Sequence, residues 1–209
     1  MTKGLFITFE GGDGCGKSTQ LELTEKYLAE KGKKTLKTRE PGSIGLGQKL
    51  REVLLHYDGD VASNAEAFLF LADRAQHVEK IIIPAINDSV IVLCDRHTDS
   101  TVAYQGYGRG QDIEQINMLN NLATQGLKPN LTLLFDVSTE VAQERVGNEK
   151  DRMESAGIEF HKKVRNGYLE LQRQNPDRIK LVNANNSIDK VFEDTKEIVL
   201  NLLQEKRGV

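Results

Sequence analysis

Apolar residues follow two alternating rhythms along the chain. Leu5 to Phe9, Val90 to Cys94 and Leu131 to Val137 are near-continuous apolar runs, the composition of strands buried on both faces. Lys33 to Thr38 and Ile179 to Val182 are shorter strand candidates. Between these runs the apolar positions recur at helical spacing, over Thr19 to Lys31, Gln48 to Leu55, Asn64 to Ile86, Ser100 to Gln105, Ile113 to Leu122, Thr139 to Val146, Ile158 to Arg173 and Ile188 to Leu203. Pro41-Gly42, Gly126 and Pro129 punctuate the pattern as turn signals. Strands alternating with helices predict an α/β fold: a parallel sheet of about five strands with helices on both faces. Ligands of such sheets bind beyond the carboxyl ends of the strands. The first half of Asn64 to Ile86 is apolar on more than one face, so it is expected to be covered by the core and by a partner subunit. Gly106 to Gly110 reads as a mobile loop, and the polar segment of about 147–155 as a lid.

Composition narrows this picture. A length of 209 residues fits a single domain, 1–209, and no linker divides it. A net charge of −3 argues against a nucleic-acid-binding surface, so positive charge for an anion must be local. No stretch has the length of a membrane-spanning helix, and Met1-Thr2-Lys3 leads into the first strand without an apolar signal region. The expectation is a cytoplasmic protein without a membrane partner. Cys15 and Cys94 fall inside core elements and do not form a disulfide framework.

The chemistry is concentrated just after the first strand. Gly11-Gly12-Asp13-Gly14-Cys15-Gly16-Lys17-Ser18 fits the phosphate-loop pattern G-x-x-x-x-G-K-[ST], in the strand–loop–helix context that the motif requires. Glycines let successive N–H groups point inward, and the helix that follows contributes its positive dipole end, so the hollow suits a phosphate. Lys17 is expected to reach the β- and γ-phosphates of ATP, and the Ser18 hydroxyl to hold Mg²⁺, with Thr19 completing the loop's contacts. Asp95 closes an apolar strand, where a nucleoside-triphosphate enzyme carries the carboxylate of its Mg²⁺ shell; a helix N-cap is the alternative. Arg96 beside it can grip a phosphate through its planar fork.

Several motifs in order resemble the bacterial thymidylate kinases. They are Phe9-Glu10-Gly11-Gly12-Asp13-Gly14, Thr38-Arg39-Glu40-Pro41-Gly42, Asp95-Arg96-His97, Ser100 to Gly106, Pro129 to Leu133 and Asp151-Arg152-Met153-Glu154. The resemblance implies a P-loop nucleoside monophosphate kinase that transfers the ATP γ-phosphoryl group to dTMP, giving dTDP and ADP. It implies that Arg39, Arg51 and Arg96 hold the acceptor phosphate, that Phe70 stacks on thymine, and that Arg74 and either Thr101 or Gln105 hydrogen-bond it. Ser100 belongs to the same polar set, Tyr104 lies under the sugar, and Asp13 touches the sugar 3′-hydroxyl. It further implies that Glu10 organises the metal shell, that Arg145 stacks on adenine, and that the protein is a homodimer through the 64–86 helix. Gly14 stands where one class of the family has an arginine, so lid residue Arg152 becomes the candidate for the transferring phosphoryl group, with Lys17 and Arg96 as the other catalytic cations. His97 and Ser43 depart from the tyrosine and glycine frequent in the family. Two rival readings are a kinase of the same fold with another acceptor, and a nucleotide-dependent switch. The chain lacks the Asn-Lys-x-Asp guanine-reading motif that would favour the switch.

Overall fold

The computed structural model describes residues 4–146 and 151–205. Five parallel strands form one sheet: β1 (Phe6–Glu10), β2 (Thr35–Arg39), β3 (Ile91–Asp95), β4 (Leu131–Asp136) and β5 (Ile179–Asn183), in the order β2-β3-β1-β4-β5. The expected runs are all present. The carboxyl ends of β1, β2 and β3 each lie one residue further on than expected, because the ladders continue to Glu10 opposite Leu134, Arg39 opposite Asp95 and Asp95 opposite Phe9. That extra residue carries Glu10, Arg39 and Asp95 to one rim.

Alternation along β1 divides the core. Ile7 and Phe9 face a cluster with Leu21 and Leu28 of α1 (Lys17–Glu30), Ala142 of α7 (Thr139–Val146), and Val191, Val199 and Leu202 of α9 (Ile188–Glu205). Phe6 faces the opposite side, with Val92, Cys94, Val78 and Ile82. There α2 (Leu46–His56), α3 (Ser63–His77), α6 (Ile113–Ala123) and α8 (Ile158–Gln174) build a further cluster around Leu54, Ala67, Ile116 and Val164. Helices thus cover both faces.

Two helical stretches depart from the regular pattern. The expected single helix Asn64 to Ile86 is α3, then a wide π-type turn over Val78–Ile82, then α4 (Ile83–Asn87). Pro84 lacks the N–H that would bond back to Lys80, and its ring crowds that carbonyl, so the helix widens before it. The short α5 (Thr98–Thr101) likewise runs into π-type turns over Val102–Gly108. The expected mobile loop at Gly106 to Gly110 is therefore largely helical. A Cβ at Gly108 would lie 2.7 Å from the Phe160 ring, and one at Gly167 2.7 Å from Tyr107, so these glycines let that stretch press against α8. Of the expected lid, residues 147–150 lie outside the described residues, and with them Lys150; the remainder forms a turn and a short 3₁₀ helix, Glu154–Ala156.

Candidate active site

The rim formed by the strand ends opens into a cavity of about 780 Å³. At one end is the phosphate loop. Gly11, Gly14 and Gly16 have φ of 139°, 76° and 89°, conformations that favour glycine, and a Cβ on Gly11 would lie 2.4 Å from the Phe135 carbonyl oxygen. Lys17 Nζ folds back over the loop and donates to the carbonyls of Gly11 (3.1 Å) and Gly12 (2.9 Å). Asp13 to Thr19 line the cavity, and Arg145 closes that end with Ala184, whose carbonyl accepts from Arg145 Nη1 at 3.2 Å. Gly11 and Gly12 lie behind the loop, on a small neighbouring pocket.

Ser18 Oγ donates to Asp95 Oδ2 at 3.1 Å, joining the start of α1 to the end of β3. Asp95 Oδ1 is buried with no partner among the described residues. A hydroxyl beside a carboxylate that has one oxygen unsatisfied is a ligand pair that suits a hard divalent cation.

Arg96 occupies the centre. Its backbone is left-handed, with φ of 68°, a conformation that costs a non-glycine residue about 1–3 kcal/mol and recurs at functional sites. Nη1 donates to the Gly11 carbonyl (3.1 Å), Ser100 Oγ (3.3 Å) and Tyr168 Oη (3.2 Å); Nη2 donates to Tyr104 Oη (3.1 Å) and pairs closely with Asp13. Burial alone would raise the pKa of Asp13, but the charges of Arg96 and then Lys17 bring it down to about 2, so it is ionised. Tyr104 Oη also donates to Asp13 Oδ2 at 2.8 Å.

The other end of the cavity is lined by Arg39, Arg51, Phe70, Arg74, Ser100, Thr101, Tyr104 and Gln105. Arg51 Nη1 donates to the Pro41 carbonyl at 3.0 Å, past the cis Glu40–Pro41 peptide. Arg74 forms the floor and is almost wholly buried. Its Nε donates to Glu40 Oε2 (2.8 Å), Nη1 to Thr101 Oγ1 and Asn120 Oδ1 (2.7 Å each), and Nη2 to the His97 carbonyl (2.8 Å). A guanidinium has five N–H donors, so one on Nη2 remains. Thr101 Oγ1 accepts from Arg74, so its own proton is also available to the cavity.

Beneath this floor Glu40 Oε1 meets Nδ1 of His77 (2.8 Å) and of His97 (3.0 Å). Burial raises a carboxyl pKa, but Arg74 and His97 hold that of Glu40 well below the usual range. An ionised Glu40 only accepts, so both Nδ1 atoms carry protons. Burial lowers the His97 pKa, and its bare Nε2 is buried without a partner among the described residues.

Glu10 and Arg152 make contacts that the sequence did not announce. Glu10 is fully buried and accepts from the His97 N–H (2.7 Å), Ser100 Oγ (2.6 Å) and Tyr168 Oη (3.0 Å), so it joins the end of β1 to that of β3 and to α8. Arg152 pairs with α2 and α3, and its Nη2 is buried without a partner among the described residues. Its Nε donates to the Leu54 carbonyl (2.8 Å) and its Nη1 to Glu66 Oε2 (2.6 Å), which ties the 151–156 segment to α2 and α3. Tyr168, Glu66 and Asn120 were not expected from sequence; each sits on a helix at ordinary spacing, and only distant partners reveal its part.

Burial, then the charge of Asp99, raises the pKa of Glu10 from 4.5 to about 7. A carboxyl with a raised folded pKa stabilises the fold fully below its unfolded value, and that stability is lost as pH climbs through the folded one. Glu10 therefore lowers stability as pH rises from about 4.5 to about 7, by about 3 kcal/mol in total. Glu10→Gln is expected to flatten this decline, since the Ser100 and Tyr168 hydroxyls can turn to suit an amide. Urea unfolding of both proteins between pH 5 and pH 8 measures the difference, and parallel curves would exclude this titration.

The thymidylate kinase family model matches residues 9–195. A thymidylate kinase of Geotalea daltonii is 49% identical over 196 residues, covering 89% of this chain and 92% of the relative. One from Clostridium novyi is 45% identical over 202 residues, covering 94% and 98%. Among solved structures, thymidylate kinase from Ehrlichia chaffeensis superposes with a TM-score of 0.78 at 34% identity, over 94% of this chain and 99% of that one. A phosphate loop, an Asp-Arg pair and an arginine-floored pocket on one rim, with matches spanning nearly the whole chain, make this protein a member of the thymidylate kinase family.

Proposed function

We propose that the chain transfers the γ-phosphoryl group of ATP to dTMP, giving dTDP and ADP. The observation that carries this reading is the single cavity that joins the phosphate loop to Arg39, Phe70, Arg74, Tyr104 and Gln105. A nucleotide switch has no use for that second half. In the proposed complex the loop N–H groups and Lys17 hold the ATP phosphates, and Arg145 lies along the adenine. Arg39, Arg51 and Arg96 grip the acceptor phosphate. Phe70 stacks on the base, four residues before Arg74 on the same helix face. Tyr104, pinned between Arg96 and Asp13, sits under the sugar where a ribose 2′-hydroxyl would need room. Ser18 and Asp95 are the proposed Mg²⁺ ligands; when bound, the ion neutralises charge on the β- and γ-phosphates. Phosphoryl transfer asks mainly for in-line positioning and charge neutralisation, and Lys17 and Arg96 supply both from fixed positions.

The proposed assembly is a homodimer through the 64–86 helix. Phe68 on α3 is 57% exposed, and Val53 on α2 and Met118 and Leu122 on the adjoining α6 are exposed as well. Such an apolar patch marks an interaction surface. No helix among the described residues is long and apolar enough to cross a membrane, and both cysteines are free and buried. The cytoplasm, where ATP and dTMP are found, is the proposed compartment, with no nucleic-acid partner.

ADP formation from ATP and Mg²⁺ is to be followed with dTMP, dUMP, dCMP and AMP in parallel. Rapid turnover with dTMP and weaker turnover with dUMP are expected, since one missing methyl group discriminates by about 1–3 kcal/mol; dCMP and AMP should give at most traces. Preference for another acceptor would remove dTMP from the pocket, and no turnover with any would favour the switch.

A further inference from the structure

Glu66, in the first turn of α3, is 1% exposed and carries four hydrogen bonds. Its Oε1 accepts from Gln105 Nε2 (2.9 Å) and Arg109 Nε (3.2 Å); its Oε2 accepts from Arg109 Nη2 (3.1 Å) and Arg152 Nη1 (2.6 Å). Arg109 is itself held over the Phe160 ring, 4.6 Å from its centroid. Burial opposes ionisation of Glu66, but the hydrogen bonds of Arg109, Gln105 and Arg152 lower its pKa below the usual value.

An ionised carboxylate can only accept, so the Gln105 amide must turn its NH₂ towards Glu66. The carbonyl Oε1 is left for the cavity that Gln105 lines, and no donor among the described residues reaches it. Nearby, Arg74 Nη2 and the Thr101 hydroxyl each have a proton to give. The pocket thus offers donors beside an acceptor. The imide edge of thymine or uracil has the complementary order, with an N–H between two carbonyls. Cytosine carries a bare ring nitrogen and an amino group there, and meets Gln105 acceptor to acceptor.

Resting on the proposed dTMP reading, we propose that Glu66 is a positioning residue that fixes the sense of the Gln105 carboxamide and so makes the pocket select imide pyrimidines over 4-aminopyrimidines. Buried polar groups left wrongly paired are a strong basis for rejection, stronger than a missing methyl group.

Glu66→Gln tests this directly. The new amide must keep its oxygen at the Oε2 place for Arg109 Nη2 and Arg152 Nη1, so its NH₂ takes the Oε1 place, where it turns the Gln105 side chain over and gives up the single weaker bond from Arg109 Nε. The ratio of kcat/KM for dTMP to that for dCMP is expected to fall at least about tenfold. In a Gln105→Met background the same change is expected to leave the ratio where Gln105→Met alone sets it, which a merely structural role of Glu66 would not produce. An unchanged ratio in Glu66→Gln overturns the proposal, as does an equal fall in both backgrounds. If Glu66→Gln does not fold, the wild type decides by titration calorimetry: an affinity for dCMP within about threefold of that for dTMP overturns the proposal, and a wider gap in favour of dTMP supports it. Wild-type enzyme inactive on dTMP would instead overturn the dTMP reading, and this inference with it.

Discussion

Lys17→Ala is expected to lower turnover with ATP and dTMP by about 10²–10³-fold, the usual cost of removing one preorganised donor to developing charge. The lysine is buried, and its ammonium lies against the Gly11 and Gly12 carbonyls, within the curve of the loop that an anion would fill. The loop N–H groups survive the substitution, so ATP still has a seat and the loss should fall on kcat more than on KM. The fold should survive too, because the two carbonyls can turn to water. Steady-state kinetics alongside a melting curve separates these effects. Turnover within about tenfold of the parent, in a folded variant, would take Lys17 out of the transfer step.

The second large effect is on stability. Glu40→Ala is expected to cost about 3–5 kcal/mol, the range for removing one partner of a buried ion pair. Arg74 would stay cationic in the core with its Nε unpaired, and two histidine Nδ1–H groups would lose their common acceptor. Domains have about 5–15 kcal/mol of net stability, so this is a large share. Urea unfolding measures it. A loss below about 1 kcal/mol would mean that Arg74 finds another partner, and that the floor of the cavity does not depend on Glu40.

Both predictions concern residues beside contiguous motifs, and that is why the sequence exposed their neighbourhood. The phosphate loop is built by eight consecutive residues, and its glycines are required by local backbone geometry alone. Asp95 and Arg96 were visible because a buried strand ends there. The limits are also physical. Arg152 reads as a lid cation, but its ion pair with Glu66, 86 positions earlier, is not legible in the sequence. Glu10 reads as a metal carboxylate, but its bonds to Ser100 and Tyr168, 90 and 158 positions away, are not legible in the sequence. Tyr168 lies between Val164 and Leu171 on α8 and has the spacing of a core residue, which it also is. The π-type turns were hidden for another reason. Val78 and Ile82 are four apart, a regular helical interval, and only Pro84 hinted that the backbone between them widens.

Sheet order has a mechanical consequence for the two ends of the cavity. The strand that bears the phosphate loop is zipped to neighbours along both edges, whereas β2, which ends in Arg39 and leads to Glu40 and Arg51, is zipped along one. Displacing the loop would mean breaking two ladders at the middle of the sheet; displacing the Arg39 turn loosens a single border. In the proposed complex the donor nucleotide therefore meets an anvil, and the acceptor meets a plank fastened along one border only. A reaction that transfers one group between two guests is well served by that asymmetry, because alignment has to be adjusted on one side only.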